Sequence, residues 1–119
     1  GTKGFQPVVG WLVCVEGAER GADYRIRAGY NYIGRGEHMD ICIHGDPAIT
    51  RDRHAMIAYD AEGQAFFFGP VNGKDIVRLN GKAVMSKAEE LQAYDKIKIG
   101  STSLMFVPLC GERFDWNAK

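Results

Sequence analysis

The chain has 119 residues, with 15 Lys and Arg against 15 Asp and Glu and a formal net charge of zero. That length sets one domain, and the neutral balance excludes the bulk basic footprint that holds nucleic acid or an anionic membrane surface. A 45% hydrophobic fraction with 25% charged residues excludes a wholly disordered chain.

Strand patterns dominate in chain order. Val8 to Val15 (VVGWLVCV) is an apolar run of strand length, and Glu16 to Gly21 is a polar, glycine-flanked turn. Asp23 to Arg27 then alternates polar and apolar residues, as a half-buried strand does, so the two segments read as a hairpin. Tyr30 to Ile33 is the next strand and ends in Gly34-Arg35-Gly36; Asp40 to Ile43 is a short strand. His44 to Arg53 carries Gly45, Pro47 and several Asp and Thr turn formers and reads as a loop. His54 to Tyr59 and Ala65 to Phe68 are strands around the turn at Asp60 to Gln64.

Asn72-Gly73 and Asn80-Gly81 are the strongest turn dipeptides, because type I′ hairpin turns need residues that accept positive φ. Asp75 to Leu79 runs between them, and Lys82 to Val84 pairs back onto it. Ser86 to Gln92 is the one helix-like stretch, a single turn with Ser86 and Glu89 spaced as a capping box. Lys96 to Gly100 alternates cleanly, and Thr102 to Leu109 is the last strand, stopped by Pro108. About ten or eleven short strands at 8–12-residue spacing predict an all-β, two-sheet sandwich. Glycine agrees: 15 of 119 residues is about 13%, against an average of about 7%, which suits many tight turns. The organisation expected is a lead-in or cloning remnant at 1–7, a sandwich over 8–109, and a tail at 110–119 that packs on or near it.

Cys14, Cys42 and Cys110 are odd in number and form no Cys-x-x-Cys pair. They read as small apolar core thiols of a reduced, cytoplasmic domain. No run approaches the ~18 apolar residues of a membrane helix. His38 and His44, six apart in loop sequence, are a poor metal signal, and no metal or other cofactor is expected.

Four features stand in order: Ile33-Gly34-Arg35 at a strand end; Ile49 to Ile57 (ITRDRHAMI) joining a loop to a strand; Asn72-Gly73 followed by Leu79-Asn80-Gly81; and Tyr94 to Gly100 (YDKIKIG). This set resembles the forkhead-associated (FHA) domain family over roughly residues 8–109. The resemblance implies a β-sandwich of about eleven strands that binds phosphothreonine peptides with loops at one end and is not an enzyme. It implies a partner protein carrying phosphothreonine, a Ser/Thr kinase and its substrates, in bacterial-style signalling.

By that resemblance Arg35 clamps phosphate, Asn72 holds the peptide main chain, and Gly34, His54, Gly73 and Asn80 are structural residues near the site. Thr50 takes the place of the serine in the family's Ser-Arg-x-His motif, but it lies four residues before His54 rather than three. Either one residue is inserted, or Arg51 has taken the serine's position; alternatively the Thr50 hydroxyl bonds its own loop. Arg51 and Arg53 divide the work, one near phosphate and one packing or pairing with Asp52. The chemistry is compatible, since a phosphate ester needs fixed donors and arginine's planar fork is the best of them. Three arginines face four acids between Gly34 and His54, a net charge of −1, so placed hydrogen bonds rather than long-range attraction must supply affinity.

Two other readings use the same residues. The irregular Thr50–His54 spacing and the long Asn72 loop fit a phosphate-independent scaffold or oligomerisation module. An oligonucleotide-binding barrel would use Tyr32 and Phe66 to Phe68 to stack bases, against the neutral charge. Phe66-Phe67-Phe68 places aromatics on both faces of a strand, one face core and the other a partner surface or covered by Phe114 and Trp116.

Overall fold

A computed structural model describes residues 6–71 and 75–117. Eleven strands account for its regular structure: β1 (Val8–Glu16), β2 (Asp23–Arg27), β3 (Gly29–Gly34), β4 (Ile41–Cys42), β5 (Ala55–Asp60), β6 (Ala65–Pro70), β7 (Val77–Leu79), β8 (Lys82–Val84), β9 (Glu89–Leu91), β10 (Lys96–Ile99) and β11 (Thr102–Pro108). They form two sheets, ordered β2-β1-β11-β10-β7-β8 and β4-β3-β5-β6-β9. Every neighbouring pair is antiparallel except β3 with β4. The all-β, two-sheet sandwich expected from the turn spacing is the fold found. Among the described residues no helix is long and apolar enough to cross a membrane.

The alternating pattern decides which side chains fill the gap between the sheets. Leu12, Ile26, Ile33, Ile57, Phe68, Ile97, Ile99, Leu104 and Phe106 are all but fully buried there. Each such side chain contributes about 1.5–3 kcal/mol through removal from water. Tyr59, Phe66 and Phe106 meet at ring-centroid distances of 4.4 and 4.6 Å, within the range where aromatic pairs add to simple burial.

Three sequence expectations change. Ser86 to Gln92 forms no helical turn: Glu89–Leu91 is β9, with Leu91 opposite Phe66. Covering the edge of β6 and burying Leu91 outweighs the local capping-box preference, as tertiary context often does. Cys14 and Cys110 are buried core thiols as expected, but Cys42 is only half-buried. The pleat turns neighbouring Ile41 inward and leaves Cys42 on the outer face of β4. The tail does not cover the outer face of β6. Phe66 and Phe68 point into the core, while Phe67 lies on the outer face beside Tyr30, Met56 and Ala58. The tail runs elsewhere: Trp116 Nε1 donates to the Val8 carbonyl at 2.7 Å, Phe114 packs edge-on to Trp116, and the Tyr59 hydroxyl donates to the buried Asp115 carboxylate.

Strand registers gather the loops. Ile33 of β3 lies opposite Ala55 of β5, which lies opposite Pro70 of β6, and Gly34 lies beside Cys42 of β4. The β3–β4, β4–β5 and β6–β7 connections therefore leave the sandwich at one end. Asp46 in the β4–β5 loop bonds the start of β11, which puts the β10–β11 turn there too.

Candidate functional site

Close backbone approach builds this end. The Arg35 and Gly36 amides donate to the Thr50 and Arg51 carbonyls at 2.9 and 2.8 Å, and the His54 amide donates to the Ile33 carbonyl at 2.7 Å. A Cβ on Gly34 would stand 2.9 Å from the Arg51 carbonyl oxygen, and one on Gly36 would stand 2.8 Å from the same atom. Glycine on both sides of Arg35 is thus what lets the β3–β4 loop lie against residues 50 and 51. The Arg35 Nε donates to the Ile49 carbonyl at 3.1 Å. The side chain is exposed, and its Nη groups have no hydrogen-bond or ion-pair partner among the described residues. A guanidinium anchored through Nε keeps its Nη fork in one place at reduced entropic cost.

His54 closes the β4–β5 loop from below. Its ring is buried, and Nδ1 accepts a 2.9 Å hydrogen bond from the Thr50 amide. An acceptor Nδ1 means a neutral ring with its proton on Nε2. Burial pushes the His54 pKa down, against the upward pull of Asp75 and Asp46. Nε2 is buried without a hydrogen-bond partner among the described residues.

Asp46 holds the other side of the loop. Its carboxylate accepts from the Thr102 hydroxyl at 2.7 Å, the Ser101 amide at 2.8 Å and the Ala48 amide at 3.0 Å. Burial alone would raise its pKa; those three hydrogen bonds outweigh burial and hold the carboxyl below its ordinary value. The sequence carried a signal for this brace, an Asp two residues before an amide in Asp-Pro-Ala, the pattern of an Asx turn. Its partners on the β10–β11 turn lie 55 and 56 residues away and carried none.

Two of the acids near Arg35 are engaged elsewhere. Asp40 accepts the Tyr32 amide at 2.9 Å, and Asp52 accepts from His38 at 3.3 Å. Among the described residues, neither Arg35 nor Arg51 is ion-paired. Both side chains are exposed.

A family model for the FHA domain matches residues 31–100, more than half of the chain. The chain belongs to the FHA domain family. Among solved structures, an FHA domain from a structural and functional study of phosphothreonine-dependent FHA interactions is 26% identical, with a TM-score of 0.70 over 83% of this chain and 95% of that one. The FhaA FHA domain, solved in complex with the intracellular domain of Rv3910, is 27% identical, with a TM-score of 0.68 over 82% and 98%. An FHA domain from Arabidopsis thaliana reaches a TM-score of 0.75 over 97% and 98% at 24% identity, a likeness of fold. Comparison with curated protein sequences gives no match.

Within this FHA domain the structure brings Gly34, Arg35, Thr50, Arg51 and His54 together. Thr50 is held by three bonds: its amide to His54, its carbonyl to Arg35, and its hydroxyl donating to the Asp52 carbonyl at 3.2 Å. In this state the hydroxyl bonds its own loop. The Arg53 guanidinium lies 4.6 Å from the Tyr32 ring centroid, and its amide contacts Met39 Sδ at 3.1 Å. Its φ of +45° is rare for a side-chain-bearing residue, and this turn takes up the four-residue spacing from Thr50 to His54. Asn72 and Gly73 lie outside the described residues; their flanks, Val71 and Asp75, follow β6 at the site end.

Asn80 does not join the site. It occupies the β7–β8 turn with φ +50°, next to the Leu79–Ile97 pair. Val77, at the other end of β7, is the residue nearer the loop mouth. Asn80 instead ties β7 to the start of β10: its Oδ1 accepts the Lys96 amide at 3.0 Å and its Nδ2 donates to Asp95 at 3.0 Å. The Asn-Gly dipeptide is the hairpin turn that its chemistry favours.

Proposed function

We propose that this FHA domain recognises a phosphothreonine-containing segment of a partner protein, with a Ser/Thr kinase and its substrates as the partners that supply it, in bacterial-type signalling in the cytoplasm. It acts by binding and not by catalysis. Arg35 clamps the phosphate, Thr50, Arg51 or Arg53 add donors at the loop mouth, Asn72 holds the peptide main chain, and Gly34, Gly73 and His54 shape the loops. The observation that carries this reading is the Arg35 fork, anchored through Nε, unpaired among the described residues, and set between two glycines that its neighbours' backbone requires. The solved FHA domain from the phosphothreonine study, 26% identical, supports the ligand class. A phosphoryl group brings about −1.5 to −2 charges and three acceptor oxygens, which suit two exposed guanidinium forks.

The test is capture from a degenerate phosphothreonine peptide library at physiological salt, with phosphoserine and unphosphorylated controls. Selective capture, lost in Arg35→Ala, supports the reading. Equal affinity for phosphorylated and unphosphorylated forms selects the phosphate-independent scaffold. Two observations favour that second reading: the Thr50 hydroxyl is engaged with Asp52, and Arg53 is turned to Tyr32.

A further inference from the structure

Beside the loop mouth, Glu19 of the β1–β2 turn meets two side chains at the end of β4, Cys42 and His44. Glu19, from the β1–β2 turn, accepts from the Tyr24 hydroxyl at 2.6 Å and the His44 amide at 3.1 Å through Oε1. Its Oε2 lies 3.2 Å from His44 Nδ1. The far ring nitrogen, His44 Nε2, lies 3.4 Å from Cys42 Sγ. An ionised carboxylate only accepts hydrogen bonds, so Nδ1 carries the proton and a neutral ring turns a bare Nε2 lone pair toward the sulfur.

This is the order of groups around a zinc ligand: carboxylate, then imidazole, then an open lone pair. Zn–S of about 2.3 Å and Zn–N of about 2.0–2.1 Å at a tetrahedral angle put the two donor atoms roughly 3.5 Å apart. The observed separation is 3.4 Å. Both ligands are reachable, since Cys42 is half-buried and the His44 side chain is 59% exposed. Among the described residues no set of three or more His, Cys, Asp and Glu side chains converges on one point, so the protein supplies two ligands and leaves the other positions to water.

We propose that Cys42 and His44 form a two-ligand site for a thiophilic divalent cation of the zinc class, with Glu19 as the residue that positions His44. Binding converts the Cys42 thiol to a thiolate and releases its proton to solvent. The thiol also donates to the Arg35 carbonyl at 3.4 Å, and that bond ends when the proton leaves. The spacing concealed this site, because the sequence pairs His44 with His38 as readily as with Cys42, and Glu19 is 25 residues away.

Cobalt(II) titration of the reduced domain tests it, because thiolate-to-cobalt charge transfer absorbs in the near ultraviolet and zinc displaces the cobalt. A saturable band is expected, lost in Cys42→Ser and in His44→Gln. Glu19→Gln is expected to weaken binding by about 10- to 100-fold. Cys14 and Cys110 are 1% and 3% exposed and do not substitute for Cys42. No band at millimolar cobalt, or a band that survives Cys42→Ser or His44→Gln, overturns the site. A second measurement needs no variant: Zn²⁺ should slow alkylation of Cys42 by iodoacetamide in the parent domain, and an unchanged rate overturns the site.

Discussion

The Thr50 amide donates to Nδ1 of His54 at 2.9 Å, so the loop that carries the candidate phosphate donors is tied to an imidazole that must stay neutral. Protonating Nδ1 removes the acceptor and puts a charge into a buried pocket. The folded-state pKa of His54 lies below its ordinary value of 6.5, so between the two values the unfolded chain binds the extra proton. Stability from this group is complete above the ordinary value, falls as pH drops below it, and is lost once pH passes the lower folded-state pKa. Denaturant midpoints measured from neutral to acid pH should show this slope. His54→Asn keeps an acceptor without titrating and should remove this contribution. An imidazole that titrates by NMR at or above its ordinary value would contradict the assignment.

Gly34→Ala should disturb both stability and binding. The added methyl would stand 2.9 Å from the Arg51 carbonyl oxygen and 2.9 Å from Met39 Cγ. Overpacking of this kind costs about 1–3 kcal/mol. Because relief requires moving the 50–51 segment away, Arg35 loses its register with Thr50, and phosphopeptide affinity should fall even where the variant is fully folded. Urea denaturation combined with calorimetric titration separates the two effects.

Arg35→Ala should abolish most phosphate-dependent affinity while leaving the domain folded. Each charge-assisted hydrogen bond contributes about 1.5–3 kcal/mol, so losing one or two costs roughly 10- to 100-fold or more in Kd. Arg35→Lys should recover only part, because an ammonium cannot reproduce the bidentate fork. Fluorescence polarisation with a phosphothreonine peptide reads both variants, and an unchanged Kd for Arg35→Ala sinks the clamp.

The sandwich was legible because alternation and turn chemistry are local. Val8 to Val15, Lys96 to Ile99 and Asn80-Gly81 each declare a strand or a turn within a few residues. The β9 strand was not, since Glu89 to Leu91 has no β pattern of its own and is a strand only because β6 offers an edge. At the site, Gly34, Arg35 and His54 were readable from order along the chain. The orientation of Arg53 toward Tyr32 and the tie from Asp46 to Thr102 were hidden, because both depend on which strands become neighbours. Asn80 misled for the same reason: a dipeptide specifies a turn, but only the register of β7 against β10 says at which end of the sandwich that turn lies.

Asn80→Ala therefore separates fold from site. The substitution removes hydrogen bonds to the Lys96 amide and the Asp95 carboxylate, and it places alanine at φ +50°. Net loss of ordinary hydrogen bonds costs about 0.5–1.5 kcal/mol each, and left-handed backbone strain adds about 1–2 kcal/mol for a residue other than glycine or asparagine. Stability should fall by a few kcal/mol, read from the urea midpoint. Phosphopeptide affinity, measured well below that midpoint, should equal the parent's. Asn80→Gly should recover the backbone part alone. A folded Asn80→Ala domain with weakened peptide binding would instead mean that strain at the β7–β8 turn reaches the loop mouth through β7, whose other end leads into the β6–β7 connection.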